Sequence, residues 1–371
     1  MKITRITTWQ MDLPLSKPYY LSGGRLRFDR LDATFVRIDT DAGISGWGEG
    51  TPWGHTYLPA HGPGIRAGIE TLAPFLIGQD PRSLAHINRV MDTQLPGHEY
   101  VKSPIDIACW DILGQVSGMP LWQLFGGAAP TPVSVNSSIS TGTPDDMINL
   151  ILEARAKGYR THSAKLGGHD AQVDIDRMNA IEAALLPGEL VTFDINRAWT
   201  PGVALRVLNA VESRSWVEQP CQTMEQCAMV NAAVPQPVLL DECLHTFDDH
   251  LRAWHTNAMA GLKIKPNRLG GLTKCLQVRD FAMRVGWMMH IEDLGGSALA
   301  DTAAIHLAAS TPDEYRMDSW LCHYHLAVDP VPGQGARNQG GVATPPSQPG
   351  LGVVPDTDVL GAPHAIYERG A

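Results

Sequence analysis

Three acidic residues end consecutive apolar stretches of the chain: Asp194 in VTFD, Glu218 in SWVE and Asp241 in VLLD. Lysines end the stretches on either side, Lys165 in RTHSAK and Lys265 in GLKIK. Carboxylates gathered at neighbouring strand ends repel one another unless a cation neutralises them. A hard divalent ion takes oxygen ligands of this kind, and Mg2+ suits a few carboxylates completed by water and a substrate oxygen. A lysine beside such a dication and a second lysine is pushed toward its neutral form, which makes it a usable base. Two such lysines on opposite sides of a metal site could take a proton from one face of a carbon and return it to the other. Each acid could instead pair with an arginine or cap a helix, but three in succession disfavour that reading.

These side chains can cooperate only if strands bring their ends together. From about residue 131 the chain alternates short apolar stretches with amphipathic ones. PVSVNSSI, RTHSAKL, LVTFDIN, SWVEQP, PVLLDE, GLKIK, WMMHIED and YRMDSW read as strands. Segments such as PDDMINLILEARAKG and TKCLQVRDFAMRVG between them carry helical periodicity. About eight such units make a closed α/β barrel of the (β/α)8 type the economical fold, and catalytic groups in such a barrel sit where strands end. At a period of two, Lys263 and Lys265 share one face of GLKIK; Lys265 is the mouth-end lysine, and Lys263, one pleat deeper, is expected to support it.

The first part of the chain follows another rhythm. MKITRITTWQM and DATFVRIDTDAGISGWGEG alternate apolar and polar residues around a DAG turn, which predicts an antiparallel meander. GIRAGIETLAPFLIG, SLAHINRVMDTQL and SPIDIACWDILGQVSG then predict helices. The expected division is an α+β capping domain over residues 1–125, the barrel over 126–330, and a tail over 331–371 that rejoins the cap.

Composition narrows the function classes. With 44% hydrophobic and 18% charged residues in 371 positions, the chain can bury a large core. A formal net charge of −10 with no Lys/Arg run argues against nucleic-acid binding. No stretch approaches the ~18 uninterrupted apolar residues of a membrane span, and MKITRITTWQMDL lacks the apolar core of a signal peptide. Six cysteines without CxxC or zinc spacing read as free thiols in a reducing cytoplasm.

The order Lys, Asp-x-Asn, Glu-Gln-Pro, Asp-Glu and Lys-x-x-Arg-x-Gly-Gly, with GISGWGEG, SPIDIACWDILGQVSGMPLWQLFGG and PGLGV elsewhere, resembles the enolase superfamily in its mandelate racemase/muconate lactonizing enzyme branch. The resemblance covers nearly the whole chain. It implies a modified TIM barrel of seven to eight βα units under an N-terminal cap, and abstraction of a proton α to a carboxylate. It also implies Asp194, Glu218 and Asp241 as Mg2+ ligands, Lys165 and Lys265 as the acid/base pair, and Asn196 and Glu242 as support beside the ligands. Mg2+ would stabilise the charge of an enediolate where it develops. Within the branch, SPIDIACWDILGQVSG, VEQPCQTMEQC and LLDECL are most similar to enzymes of proline derivatives, cis-3-hydroxy-L-proline dehydratase and 4-hydroxyproline betaine 2-epimerase.

That likeness places Trp320 against a cationic nitrogen, a physically sound cation–π contact; Glu292 and Asp293 end WMMHIED, and Asp293 is the substrate-binding candidate there. Substrate choice in the branch comes from cap loops, here PYYLSGGRL and TPWGHTYLPAH, so Tyr20, Trp53, His55 and Tyr57 are pocket candidates and Gly23–Gly24 a candidate lid hinge. Two departures stand out: Ser163 occupies the first lysine position of the usual Lys-x-Lys, and LGGSALAD lacks an aromatic before its glycines. The implied partners are a small amino or imino acid carboxylate and, by analogy, further copies of the chain. Racemisation or epimerisation and loss of a β-hydroxyl share one intermediate, and the lysine pair does not choose between them. A non-proline acid remains an alternative substrate within the branch. A Schiff-base aldolase would also use a barrel lysine but needs no carboxylate triad, and a barrel that only binds a metabolite would need neither lysine.

Overall fold

Two long strands open the chain and set the cap. β1 (Ile3–Leu21) and β2 (Leu26–Thr40) pair antiparallel, and β3 (Ser45–Gly50) extends the meander. Helices α1 (Gly62–Leu76), α2 (Leu84–Gln94) and α3 (Glu99–Ser117) follow. Their apolar faces, including Ile69, Leu72, Met91 and Ile105, pack on Ile6, Val36 and Ile38 of the sheet. The motif GISGWGEG has a steric cause. A Cβ on Gly46 or Gly48 would fall 2.2 Å from the Ala108 carbonyl or 2.0 Å from that of Pro104, so only glycine lets β3 lie directly on α3.

In this computed structural model, which describes residues 1–168 and 170–368, the barrel begins after the short β4 (Val133–Ser134). Its staves are β5 (Asn136–Ile139), β6 (Thr161–Lys165), β7 (Leu190–Asp194), β8 (Trp216–Glu218), β9 (Val238–Leu240), β10 (Gly261–Ile264) and β11 (Met288–Ile291). They form one parallel sheet in sequence order. Intervening helices start on capping boxes at Thr143–Asp146, Thr223–Gln226 and Thr246–Asp249, which satisfy the free N–H groups of their first turns.

The expected eighth strand, YRMDSW, closes the ring through isolated bridges rather than a regular ladder. Met317 N donates to the Met289 carbonyl (2.8 Å) on one side, and Asn136 N donates to the Ser319 carbonyl (2.8 Å) on the other.

The tail ties the two layers. β12 (Val342–Ala343) pairs with β4, and β13 (Ala365–Glu368) pairs with β1, giving the cap sheet the order β13-β1-β2-β3. The Asp111 carboxylate on α3 accepts from Trp47 N (3.0 Å) and Leu351 N (2.8 Å), fastening tail, helix and sheet together. Nearer the barrel mouth, Glu49 accepts from Thr51 Oγ1 (2.7 Å), Ser297 N (2.9 Å) and Ser297 Oγ (2.5 Å). Cap and barrel therefore share a buried polar seam. Among the described residues the cysteines are free thiols, and no helix is long and apolar enough to cross a membrane.

Candidate active site

Parallel register aligns the chemistry. Lys165 lies opposite Asp194, and Asp194 opposite Glu218, at the carboxyl ends of β6, β7 and β8. Asp241 follows β9 and Lys265 follows β10. In a ring of eight staves, β6 and β10 stand four apart in either direction, so Lys165 and Lys265 face each other across the mouth. Between them lies a narrow cavity of about 30 Å³, lined on the barrel side by Asn136, Ser138, Ser163, Lys165, Asp194, Asn196, Asp241, Lys263, Lys265 and Glu292. Its cap side is Tyr19, Leu21, Trp53 and Tyr57, with Leu294 and Trp320 completing the rim.

Each carboxylate faces a cation. Lys165 Nζ donates to Asp194 Oδ2, and Arg268 Nη1 to Asp241 Oδ1. Lys265 Nζ lies 3.0 Å from both Asp241 Oδ2 and Glu292 Oε1, while Lys263 Nζ lies 3.1 Å from Glu218 Oε2 and Glu292 Oε1. Behind Glu292, His290 Nε2 bonds its second oxygen (2.6 Å), and His290 Nδ1 pairs with Asp318. A ring that bonds a carboxylate through each nitrogen is best served by the imidazolium, and the carboxylates raise the His290 pKa against the effect of burial.

Asn196 and Glu242 meet beside Asp194. Asn196 N and Nδ2 donate to Asp194 at 2.9 and 3.1 Å, and Nδ2 also reaches Glu242 Oε1 at 3.2 Å. Asn196 and Gln219 hold left-handed backbone (φ 43° and 37°), unusual for residues with side chains and placed directly beyond the acids. Gln219 Oε1 accepts from Asp241 N (2.9 Å), tying the β8 end to the β9 end.

Burial lowers the Lys165 pKa, but Asp194, Tyr19 and Glu218 outweigh it and the net shift is upward. Lys265 behaves likewise, with Asp241 and Glu292 as the counter-charges. Close carboxylates thus oppose the effect of burial at both groups. Burial, then Asp194, pushes Glu218 up to about 8. Asp241 is also buried, yet Lys265 and Arg268 hold it well below the usual carboxylate range.

Asp194, Glu218 and Asp241 supply three hard oxygen donors on neighbouring staves, the donor chemistry of a divalent cation such as Mg2+. Glu218 supports that fit: among the described residues its buried Oε1 has no partner, and Oε2 meets only the Lys263 ammonium. Among the described residues, no three acidic, His or Cys side chains are already drawn into a coordination cluster, because the lysines and Arg268 occupy the approaches.

Three pocket candidates, Tyr20, His55 and Asp293, lie elsewhere. Tyr20 points outward and is 43% exposed; Tyr19, one residue earlier, lines the cavity with Leu21. Asp293 is buried behind the wall, where Oδ1 accepts from Asn267 N (2.9 Å) and Leu294 N (2.7 Å), and burial pushes it up to about 8. Glu292 takes the cavity position instead. Strand register explains the Glu292 position: Lys263 pairs with His290, so Lys265 continues to Glu292.

Trp53, Tyr57 and Trp320 do reach the cavity, and His55 is exposed. Tyr57 Oη donates to Glu242 Oε1 (2.9 Å), and Trp53 Nε1 donates to the Leu294 carbonyl. Leu294 therefore fills the place where an aromatic was absent. Ser163 also lines the cavity, its hydroxyl unpartnered. The PYYLSGGRL loop is seated on the barrel: Ser22 Oγ donates to the Asn196 carbonyl (2.9 Å), and a Cβ on Gly23 would fall 2.3 Å from the Gly167 carbonyl.

Comparison with known proteins now has this geometry to meet. Residues 5–126 match the family described as mandelate racemase / muconate lactonizing enzyme, N-terminal domain, and residues 146–359 match the enolase C-terminal domain-like family. The chain belongs to the enolase superfamily. A cis-3-hydroxy-L-proline dehydratase from Roseibium aggregatum is 40% identical over 99% of this chain and 100% of its own length. An N-succinyl-L-Arg/Lys racemase from Bacillus cereus is 28% identical, covering 84% and 85% of the two chains. A solved member of the superfamily from Roseovarius nubinhibens, complexed with magnesium, is 67% identical, with a TM-score of 0.97 and coverage of 99% and 100%. This superfamily member is an enzyme with the barrel and cap of its relatives.

Proposed function

We propose that this enzyme removes the proton α to the carboxylate of a proline-type amino or imino acid through an enediolate. The observation that carries the reading is the pair of lysines, Lys165 and Lys265, facing each other across one small cavity with Asp194, Glu218 and Asp241 on the staves between them. The three acids would hold Mg2+, as the magnesium-containing relative supports. Bound there, Mg2+ would draw the carboxylates away from the lysines and offset the negative charge gathering on the substrate carboxylate.

The chain's own groups divide the remaining work. Lys265 Nζ and Lys165 Nζ reach opposite faces of a carbon held in the cavity, one removing the proton and the other able to deliver one. Lys263, fixed between Glu218 and Glu292, adds a permanent cation to the floor. Trp53 and Trp320, with centroids 6.3 Å apart, give a substrate ammonium an aromatic wall and keep water out. Loss of a β-hydroxyl is the favoured outcome, supported by the full-length likeness to a hydroxyproline dehydratase. Epimerisation is the second reading, favoured by the presence of a lysine on each face.

Proton NMR in D2O with Mg2+ tests this on proline, its betaines and the 3- and 4-hydroxyprolines. A new unsaturated or imine product marks dehydration. Loss of the α-proton signal without a new product marks epimerisation, and silence across the panel contradicts a proline-type substrate.

A further inference from the structure

The active cavity is narrow, and a larger space lies directly behind one of its walls. A second cavity of about 370 Å³ shares Asn136, Ser138 and Trp320 with it. This space runs outward past Leu150 and Tyr159 to the exposed Glu153, Lys157 and Tyr324. Its cause is topological. The eighth stave meets β5 through an isolated bridge, and the chain leaves that stave as a single turn, Cys322–His325, instead of the full helix that follows a barrel strand.

One side chain stands between the two spaces. His325 lines the second cavity, and its ring lies 5.2 Å from Trp320 (centroids, planes 34° apart) and edge-on to Tyr19 at 5.6 Å. Trp320 and Tyr19 both wall the active cavity. Burial, then His323 and Lys165, hold the His325 pKa down to about 4, so at neutral pH it offers an uncharged aromatic face. The backbone of the turn is fixed by both layers of the fold. Asp301 accepts from Cys322 N (3.2 Å) and His323 N (3.0 Å), and Ser16 Oγ donates to the His325 carbonyl (3.1 Å). The place of the turn therefore does not rest on the imidazole.

Resting on the reading of a proline-type substrate above, we propose that His325 is a specificity-determining residue: it backs Tyr19 and Trp320 and so limits the site to a compact ring acid without a bulky substituent. With the imidazole removed, the two aromatic rings gain room to withdraw, and the narrow cavity joins the space behind it. A phenyl group carried on the proline ring then has a place beside Leu150 and Tyr159. The lysines and the three acids lie on other staves, so the limit is one of size and leaves the proton chemistry alone.

The test follows α-proton exchange in D2O with Mg2+ on proline, N-benzylproline and 4-phenylproline, using the full chain as wild type, His325→Ala and His325→Phe. Wild type should exchange proline and leave the two bulky acids almost untouched. His325→Ala should raise kcat/KM for at least one bulky acid, relative to proline, by about 100-fold, the scale on which a packed pocket rejects excess volume. His325→Phe keeps a ring against Trp320 and should keep the wild-type ratio; His325→Val gives the same reading as alanine where alanine costs folding. A ratio unchanged in the smaller variants, or raised as much by phenylalanine, overturns the assignment to His325, as does wild-type protein that takes the bulky acids as readily as proline. Silence on all three acids in every protein overturns the proline-type reading, and this inference with it, whereas proline exchange without any gain in the smaller variants overturns the inference alone.

Discussion

The two walls of the cavity are built on different logic. The barrel wall carries Lys165, Asp194, Glu218, Asp241 and Lys265 at strand ends, all pointing to one mouth because parallel staves in register leave them no other direction. The cap wall carries Tyr19, Trp53 and Tyr57 from a strand end and a loop, held by contacts with residues far away in the chain, such as Trp53 to Leu294 and Tyr57 to Glu242. A barrel wall of this kind serves reaction chemistry, and a cap wall serves recognition and exclusion of water. Tyr19, a cap residue whose hydroxyl meets Ser138 on β5, is where the two walls touch.

The largest effects are expected on the barrel wall. Asp194→Asn or Glu218→Gln should lower α-proton exchange by about 10³ or more, the scale of removing a metal's electrostatic stabilisation. Titration calorimetry should show weakened Mg2+ binding in the same proteins. Survival of exchange in either variant would break the contrast between the walls.

Behind that wall, His290→Leu removes the imidazole that joins Glu292 to Asp318 and leaves two buried acids short of a partner. Urea unfolding should register a loss of about 4 kcal/mol, as for other broken buried ion pairs. A loss near zero would show that the network does not bind the staves together.

The seam between cap and barrel gives a pH signature. Burial pushes Glu49 from 4.5 up to about 7. An acid whose folded pKa lies above its unfolded value binds more protons folded than unfolded, so its contribution to stability falls as pH rises between the two values. From pH 4.5 to 7 that amounts to about 3 kcal/mol for a group this buried. Glu49→Gln should therefore unfold with a visibly flatter pH dependence over that window than wild type. Parallel curves would contradict it.

The smallest effect is expected at the rim. Trp320→Leu should raise KM for a cationic substrate about tenfold and leave kcat nearly unchanged, the scale of one cation–π contact. A large fall in kcat instead would move Trp320 into the chemistry.

The same contrast explains what could be read from the chain alone. Strand-end acids and lysines announce themselves, because a period of two and a recurring βα unit fix both their direction and their company. Glu292 and Tyr19 were legible in principle. Counting parity across from Lys265 reaches Glu292 rather than Asp293, and the buried odd positions Leu13, Leu15 and Leu21 point to Tyr19 rather than Tyr20. A register shift between Pro14 and Tyr19 hid the second of these. The close approach of the carboxylates to the lysines was not legible, because strand order alone does not set it. Leu294 as the acceptor of the Trp53 indole was not legible either, since nothing local links residues so far apart in sequence.

The opposed lysines are tested most directly by α-proton exchange in D2O, followed separately for the two enantiomers of one substrate, in Lys165→Ala and Lys265→Ala proteins with Mg2+. Each variant should still exchange one enantiomer and fail on the other, with opposite handedness in the two variants. Exchange of both enantiomers at wild-type rates in either variant would contradict a site built on two lysines facing one carbon.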